Sequence, residues 1–480
     1  MPKPFYITTT IPYVNAEPHI GFALELVHAD IIARYKRLSG FEVFFNTGTD
    51  EHGLKVYRKA TEEGKDPQEY VDFFAAKYKA LHQTLGVMEG VNFVRTTDPE
   101  HKKSAQEFWQ RCKENGFIYK KLYKVKYCVG CELEKTDSEL VDGRCSIHPN
   151  LELEIVEEEN YFFKLSAFKD FLSGLYERKD FLVPDFRLNE LRSLIAEKGL
   201  EDFSASRLAS KMPWGVPVPD DSEHVMYVWF DAFVNYISAI GWPNDTEKFK
   251  KWWLESGGVV QFAGKDQVRQ QAAMWQAMLK AAGIEIPSKQ IVIHGFITSG
   301  GQKISKSLGN TIDPVAIVHE YGADALRYYL ARHIHPFEDS DFTMEKFKEA
   351  YNAHLANGLG NLVSRTMKMA ETYLSGPVEI PVNTIPDNFK EALDTYEIQK
   401  AADVVWSLVT TLDERIQTTA PFKLVKVDRP KAEEIIRGLV IDLYTIARML
   451  NPIMPETMEK IKKAIKENKM PAASLFPRKD

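Results

Sequence analysis

The chain has 480 residues, 44% hydrophobic and 27% charged, a globular composition that excludes a disordered tail, a collagen and a small disulfide scaffold. Lys and Arg number 61 against 68 Asp and Glu, a net −7 that excludes a polybasic nucleic-acid coat but not a local basic face. Four cysteines fit a reducing compartment, and three of them (Cys128, Cys131, Cys145) crowd one short stretch. No apolar run reaches the roughly 18 residues of a membrane span. The N-terminus lacks the basic start and long apolar stretch of a signal peptide, so a cytoplasmic protein with no membrane partner is expected.

In chain order, Phe5–Thr10 reads as a strand and Gly21–Leu38 as a helix, with Leu24, Val27, Ile31 and Tyr35 on one stripe. Glu42–Thr47 and Val91–Thr96 read as further strands. Asp66-Pro67 and Asp98-Pro99 each open a helix, with Asp as the cap and Pro at the first helical position. From about Phe117 to Pro219, short alternating stretches, the cysteines and an acidic run over Glu152–Glu159 replace this pattern. Strand-like segments return at Val225–Phe230, Val259–Phe262 and Gln290–His294, with a helix carrying Met274 and Met278 between the last two. Asp313-Pro314 opens another capped helix, and from Tyr351 the pattern is helical. The acidic surplus lies ahead of residue 351, and the tail is close to neutral. The expected fold is α/β: a doubly wound parallel sheet of the Rossmann type, split by a metal-binding insertion and followed by an α-helical bundle. The expected domains are 1–116 and 220–298 as the halves of the sheet domain, 117–219 as the insertion, 299–350 as a connecting region and 351–480 as the bundle.

Cys128-x2-Cys131, thirteen residues, then Cys145-x2-His148 supplies two ligand pairs for a tetrahedral zinc. All four positions are filled by protein, so one structural Zn2+ per chain is expected, not a catalytic site with an open position. Cys112 stands alone in a helical stretch and reads as a small core residue.

His19-Ile-Gly21-Phe22 lies between a strand and a helix N-terminus, where free N–H groups and the helix dipole favour phosphate. There His19 can donate to a phosphate oxygen in the transition state. Ser299-Gly-Gly-Gln-Lys303-Ile-Ser-Lys306-Ser is a glycine-rich loop whose two lysines can neutralise a polyphosphate. Each signal alone is weak: a histidine cap and a solvated loop are the plain alternatives.

Together these residues resemble the HIGH and KMSKS signatures of the class I aminoacyl-tRNA synthetases. Pro12-Tyr-Val-Asn15, Asn46-Thr-Gly-Thr-Asp50-Glu-His-Gly53, Tyr227-Val-Trp229-Phe-Asp231-Ala232, Gly264-Lys265-Asp266, His294-Gly-Phe296 and Leu475-Phe-Pro-Arg478 are similar to the methionyl-tRNA synthetase family over nearly the whole chain. The resemblance implies activation of L-methionine with ATP and transfer of the methionyl group to tRNA(Met). It implies His19, Lys303 and Lys306 as catalytic residues, and His19, Gly21, Gly264, Lys265, Asp266, Phe296, Lys303 and Lys306 around ATP, with Mg2+ arriving on the nucleotide. Ile11, Tyr13, Trp229, Ala232, Tyr236 and Gln271 would line the methionine pocket, with Asp50 on the substrate ammonium. Asn361, Arg365 and Phe422 would read the anticodon. A monomer is expected.

Three positions depart from the family pattern. Phe22 replaces the second signature histidine, Gln270-Gln271 stands where Phe-His is usual, and Phe422 replaces a Trp. They leave open a non-catalytic tRNA-binding paralogue, against which the retained Asp50, Lys303 and Lys306 argue. A class I sister for isoleucine, leucine or valine would need a larger editing insertion than 117–219, and one for cysteine would carry its thiolate zinc in the amino-acid pocket, whereas this cluster lies in the insertion.

Overall fold

The computed structural model describes residues 2–135, 139–304, 310–381 and 385–479. Its contacts divide the chain into two compact units: Met1–Pro18, Phe41–Ala80 and Gly90–Ile293 in the first, His19–Gly40, Leu81–Glu89 and His294–Asp480 in the second. Among the described residues, no helix is long and apolar enough to cross a membrane.

The first unit is organised by a six-stranded sheet, in the order Asn92–Arg95, Glu42–Thr49, Pro4–Thr8, Val260–Gly264, Gln290–His294, Leu182–Val183. The pairings of Pro4–Thr8 with both neighbours, of Glu42–Thr49 with Asn92–Arg95 and of Gln290–His294 with Leu182–Val183 are parallel. This is the doubly wound arrangement expected from the strand–helix alternation. Consecutive apolar residues suit strands buried on both faces, as in Phe5-Tyr6-Ile7. The core joins Tyr6 to an aromatic layer of Phe108, Trp109, Phe163, Phe230 and Trp275. Phe108 and Trp275 stack with ring centroids 5.8 Å apart. Cys112 lies buried in this core, as expected.

Within the insertion, Ile118–Cys128 pairs antiparallel with Glu154–Phe163 in a four-stranded sheet. The acidic run finds its reason here. Glu157 lies opposite Lys124, their charged groups 3.0 Å apart, while Glu154 meets Arg58 at 2.7 Å and Glu158 meets Lys211 at 2.8 Å.

Two local expectations are corrected. Val225–Phe230 is not one strand: Asp221–Met226 is a strand, and Val228–Phe233 is a helix. The segment is buried almost throughout, and a continuously apolar run carries no period by which strand and helix can be told apart. Asp98 sits at the expected cap position but does not cap; its carboxylate turns back to accept the Arg95 amide at 3.0 Å. Asp66 and Asp313 do cap, accepting from Gln68 and Val315. The helix Leu54–Glu62, which no capping signal announced, follows directly on Gly53.

The second unit gathers the helix Ile20–Leu38 with Pro314–Tyr321, Ala323–Arg332, Asn361–Tyr373, Ile398–Thr419, Arg429–Ile453 and Pro455–Glu467. Its three short strands, Ile297–Ser299, Gln302–Lys303 and Ser340–Asp341, form one small sheet. Fully buried Arg327 ties the unit together. Its guanidinium meets Asp30 at 2.7 Å and donates to the carbonyls of Pro452 and Ile453 at 2.8 Å. Those carbonyls lie at a helix C-terminus, where no intrahelical donor remains to satisfy them.

Candidate active site and metal cluster

In the first unit, the chain after Pro4–Thr8 passes beside the end of Glu42–Thr49. The Asp50 amide donates to the Pro12 carbonyl at 2.9 Å, and the Val14 amide to the Asp50 carbonyl at 3.2 Å. Tyr13 and Asp50 are thereby set opposite each other as a parallel bridge, next to Ile11. Gly48 precedes them because a Cβ there would stand 1.9 Å from the Val94 carbonyl oxygen.

Asp50 is buried, only 4% exposed, and its Oδ1 has no hydrogen-bond partner. Burial, then the charges of Asp231 and Glu132, pushes its pKa well up, against one opposing hydrogen bond from the His52 amide. A carboxylate in this state calls for a cation. Tyr13 shares the environment: burial, then Glu132 and Asp50, raises its phenol as well.

The remaining expected methionine residues come from the helix Val228–Phe233, the turn after it and the π-helical turn Gln270–Met274. Trp229 packs against Phe233, ring centroids 5.5 Å apart, and its buried Nε1 has no partner. Ala232 and Tyr236 are buried. Gln271 donates from Nε2 to the Tyr236 hydroxyl at 2.9 Å, so these two meet directly.

Two further groups of buried residues stand beside the expected ones. Asp231, fully buried, accepts from His52 at 2.6 Å and from His101 at 2.8 Å, and His101 also meets Ser238 at 3.0 Å. Burial opposes ionisation of Asp231, but the two histidines outweigh it and hold the carboxyl at about 2. Asp231 stood in view inside Tyr-Val-Trp-Phe-Asp-Ala, yet its partners lie 130 and 179 residues away. Glu132, next to a metal-site cysteine, accepts the Lys55 amide at 2.7 Å, and its carbonyl takes the Tyr227 hydroxyl. It thus caps the helix Leu54–Glu62 from a segment 77 residues away. No local pattern marks either residue.

The expected ATP residues fall on both units. In the first, Gly264 ends the strand Val260–Gly264, and Lys265 and Asp266 form the turn beyond its carboxyl end. In the second, His19 is the N-cap of Ile20–Leu38, and its Nδ1 accepts the Gly21 amide at 3.0 Å. A neutral imidazole that accepts at Nδ1 carries its hydrogen on Nε2, so the cap leaves His19 a donor. Gly21 serves this contact, since a Cβ there would stand 2.9 Å from the His19 ring. Phe22 is buried. Phe296 donates its amide to Asp339 at 2.9 Å. Lys303 pairs with Thr298 across a short hairpin, whose turn is held by Asp341 through the Gly301 amide at 2.9 Å. Lys306 lies outside the described residues.

The four expected metal ligands converge. Ligand atoms of Cys128, Cys131, Cys145 and His148 all lie within 4.8 Å of one another. Cys131 Sγ is 3.2 Å from His148 Nδ1 and 3.5 Å from Cys145 Sγ. Burial, the largest influence, pushes the Cys131 thiol up. Clustered thiolates therefore need a cation, and three thiols with one imidazole suit zinc.

In the helical part of the second unit, Asn361 is exposed and Arg365 half-buried one turn along the same helix, where Arg365 pairs with Asp413. Phe422 is 41% exposed beyond the buried Pro421, with the Lys423 ammonium 6.0 Å from its ring.

Comparisons with known proteins agree with this layout. The family model "tRNA synthetases class I (M)" matches residues 5–149 and 131–367, and "Anticodon binding domain of methionyl tRNA ligase" matches 378–475. Methionine–tRNA ligase of Thermotoga maritima is 42% identical over 98% of this chain and 76% of that protein. The Synechocystis enzyme of the same name is 39% identical over 95% and 88%. The structure of Mycobacterium tuberculosis methionyl-tRNA synthetase in complex with methionyl-adenylate superposes with a TM-score of 0.90 at 33% identity, covering 99% of this chain and all of that one.

Proposed function

The chain belongs to the methionyl-tRNA ligase family of class I tRNA synthetases, and from that premise we propose how its residues divide the work. It activates L-methionine with ATP, giving methionyl-adenylate and pyrophosphate, and transfers the methionyl group to the 3′-terminal ribose of tRNA(Met). In the first step the methionine carboxylate attacks the α-phosphate in line and pyrophosphate leaves. In the second, a ribose hydroxyl attacks the acyl carbon and AMP leaves. Both steps depend on placement and on cations near developing charge.

Asp50 holds the substrate ammonium. Its buried, unpartnered oxygen is the observation that carries this assignment. Ile11, Tyr13, Trp229, Ala232, Tyr236 and Gln271 enclose the side chain; aromatic and small apolar walls suit a soft thioether. His19, through Nε2, donates to the phosphates, with Gly21, Gly264, Lys265, Asp266 and Phe296 around the nucleotide. Lys303 and Lys306 stabilise the departing pyrophosphate. Mg2+ would come with ATP, not in a protein cage of its own, and would supply positive charge at the phosphates. Cys128, Cys131, Cys145 and His148 hold one zinc with no open position, a structural role that elemental analysis would check as about one zinc per chain. Asn361, Arg365 and Phe422 read the anticodon. The working form is a cytoplasmic monomer.

The test is ATP–pyrophosphate exchange with each of the twenty amino acids. Exchange dependent on methionine alone is expected, and its absence rejects the reading.

A further inference from the structure

Asp50 can aim an oxygen at a substrate ammonium only if its carboxylate is held still, and the chain beyond the strand Glu42–Thr49 shows what holds it. The carboxylate takes one hydrogen bond, from the His52 amide, while Oδ1 takes none. That amide belongs to the peptide between Glu51 and His52. A trans peptide is planar, and its C=O and N–H point in opposite directions. Whatever fixes the Glu51 carbonyl therefore aims the His52 N–H.

The peptide is gripped on both sides. At its carbonyl, Trp214 donates from Nε1 at 2.6 Å, and the Trp214 carbonyl in turn accepts the Gly53 amide at 3.3 Å. At the His52 side chain, Nδ1 donates to Asp231 Oδ2 at 2.6 Å. Asp231 stands on the helix Val228–Phe233, and its Oδ1 accepts from His101 Nε2 at 2.8 Å, on the helix Pro99–Glu114. His101 Nδ1 meets the Ser238 hydroxyl at 3.0 Å. The His52 ring also lies edge-on to the Trp214 indole, ring centroids 5.7 Å apart. His52, His101 and Asp231 are buried, so water does not compete for these bonds.

We propose that His52 and Trp214 are positioning residues for methionine binding: together they fix the Glu51–His52 peptide, whose N–H holds one side of the Asp50 carboxylate and leaves Oδ1 for the substrate ammonium. This rests on the assignment of Asp50 to that ammonium. Both side chains act through one peptide and on one carboxylate. Their loss is therefore felt by a ligand that carries the ammonium and not by one that lacks it.

The experiment uses the full chain and two ligands, methionine and 4-(methylthio)butanoate, which keeps the thioether and the carboxylate but lacks the ammonium. Calorimetric titration gives the dissociation constant of each. His52→Leu removes the bond to Asp231 and should weaken methionine about tenfold, the scale of one hydrogen bond to a charged group, with the analogue unchanged. His52→Asn, whose amide nitrogen falls where Nδ1 does, should restore most of the loss. His52→Gln carries its amide beyond that position and replaces the leucine variant if the latter does not fold. Trp214→Phe keeps an aromatic ring without a donor and should weaken methionine about fivefold, the scale of one net hydrogen bond, again with the analogue unchanged. In an Asp50→Asn background neither change should weaken methionine further, a coupling that general loosening of the fold would not produce. Each residue is judged by its own variant: unchanged methionine binding, an equal loss for both ligands, or a loss that persists in full without the Asp50 carboxylate removes it from the role. An Asp50→Asn variant that weakens both ligands alike would instead overturn the ammonium assignment beneath the proposal.

Discussion

Asp30 in the second unit and Asp50 in the first are both buried carboxylates, and they are treated in opposite ways. In the second unit, Asp30 is completely buried, and one oxygen meets Arg34 and Arg327, each at 2.7 Å. Its other oxygen accepts the Met88 amide at 2.9 Å. In the first unit, Asp50 is nearly as buried, yet one oxygen meets nothing and its pKa is pushed up. Its neighbour Glu51 resembles Asp30, with Arg95 on both oxygens at 2.7 and 2.8 Å. Burial alone therefore does not separate a binding group from a structural one. Pairing does separate these three: arginines neutralise Asp30 and Glu51, whereas Asp50 keeps an unpartnered oxygen, as its proposed role towards the substrate ammonium requires.

The comparison is broken most sharply by exchanging the two outcomes. Asp50→Asn should cut kcat/KM for methionine by about 100- to 1,000-fold, the scale of removing one partner of a buried charge pair. The ligand-free protein should nevertheless melt at a higher temperature near neutral pH. A carboxyl whose folded pKa is raised contributes stability only below its ordinary range and loses it as pH rises through the raised value. At neutral pH it is a burden that the amide lacks. Thermal melts without substrate, set beside exchange kinetics, read both effects.

Asp30→Ala should do the reverse. It leaves the buried Arg327 and the part-buried Arg34 without their carboxylate and should cost about 3–5 kcal/mol of stability, seen as a lower denaturation midpoint.

Asp231 gives an intermediate case, paired with two histidines instead of an arginine. Its pKa is depressed to about 2, so its contribution is present above the ordinary carboxylate range and is lost as pH falls towards about 2. Asp231→Asn should cost about 2 kcal/mol at neutral pH and should flatten the acid limb of the stability profile. Urea titration across that pH range checks the sign.

The smallest effect is expected at the surface. Phe422→Ala should weaken tRNA(Met) binding by about 5- to 10-fold, since base stacking on an aromatic contributes roughly 1–3 kcal/mol and this ring is already part-covered. Titration of the labelled tRNA measures it.

Where function was carried by residues close in sequence, it was legible before folding. The cysteine and histidine spacing predicted the clustering of the four ligands, and His19 stands, as read, at the N-terminus of a helix. The alternation of strands and helices predicted the parallel sheet. In each case the deciding interaction lies within a few residues, or repeats with the period of an element. The failures were also physical. Val228–Phe233 is buried almost throughout and so has no polar face to reveal its period, and Asp98 had a second local amide to choose.

What only the tertiary structure decided is which oxygen is satisfied. Asp30, Asp50, Glu51 and Asp231 are not told apart by their local sequence, and the adjacent Asp50 and Glu51 meet opposite fates. Arg327, His101 and the Val228–Phe233 helix come from far along the chain, and their arrival pairs Asp30 and Asp231 while Asp50 keeps an unpartnered oxygen. The buried hydrogen bonds that join Gln276, Ser288 and Gln261 are the same case among neutral groups: the sequence shows residues able to donate and accept, and which atom meets which is decided only once the Ser288 amide and the Gln271 carbonyl fix Gln276 in space.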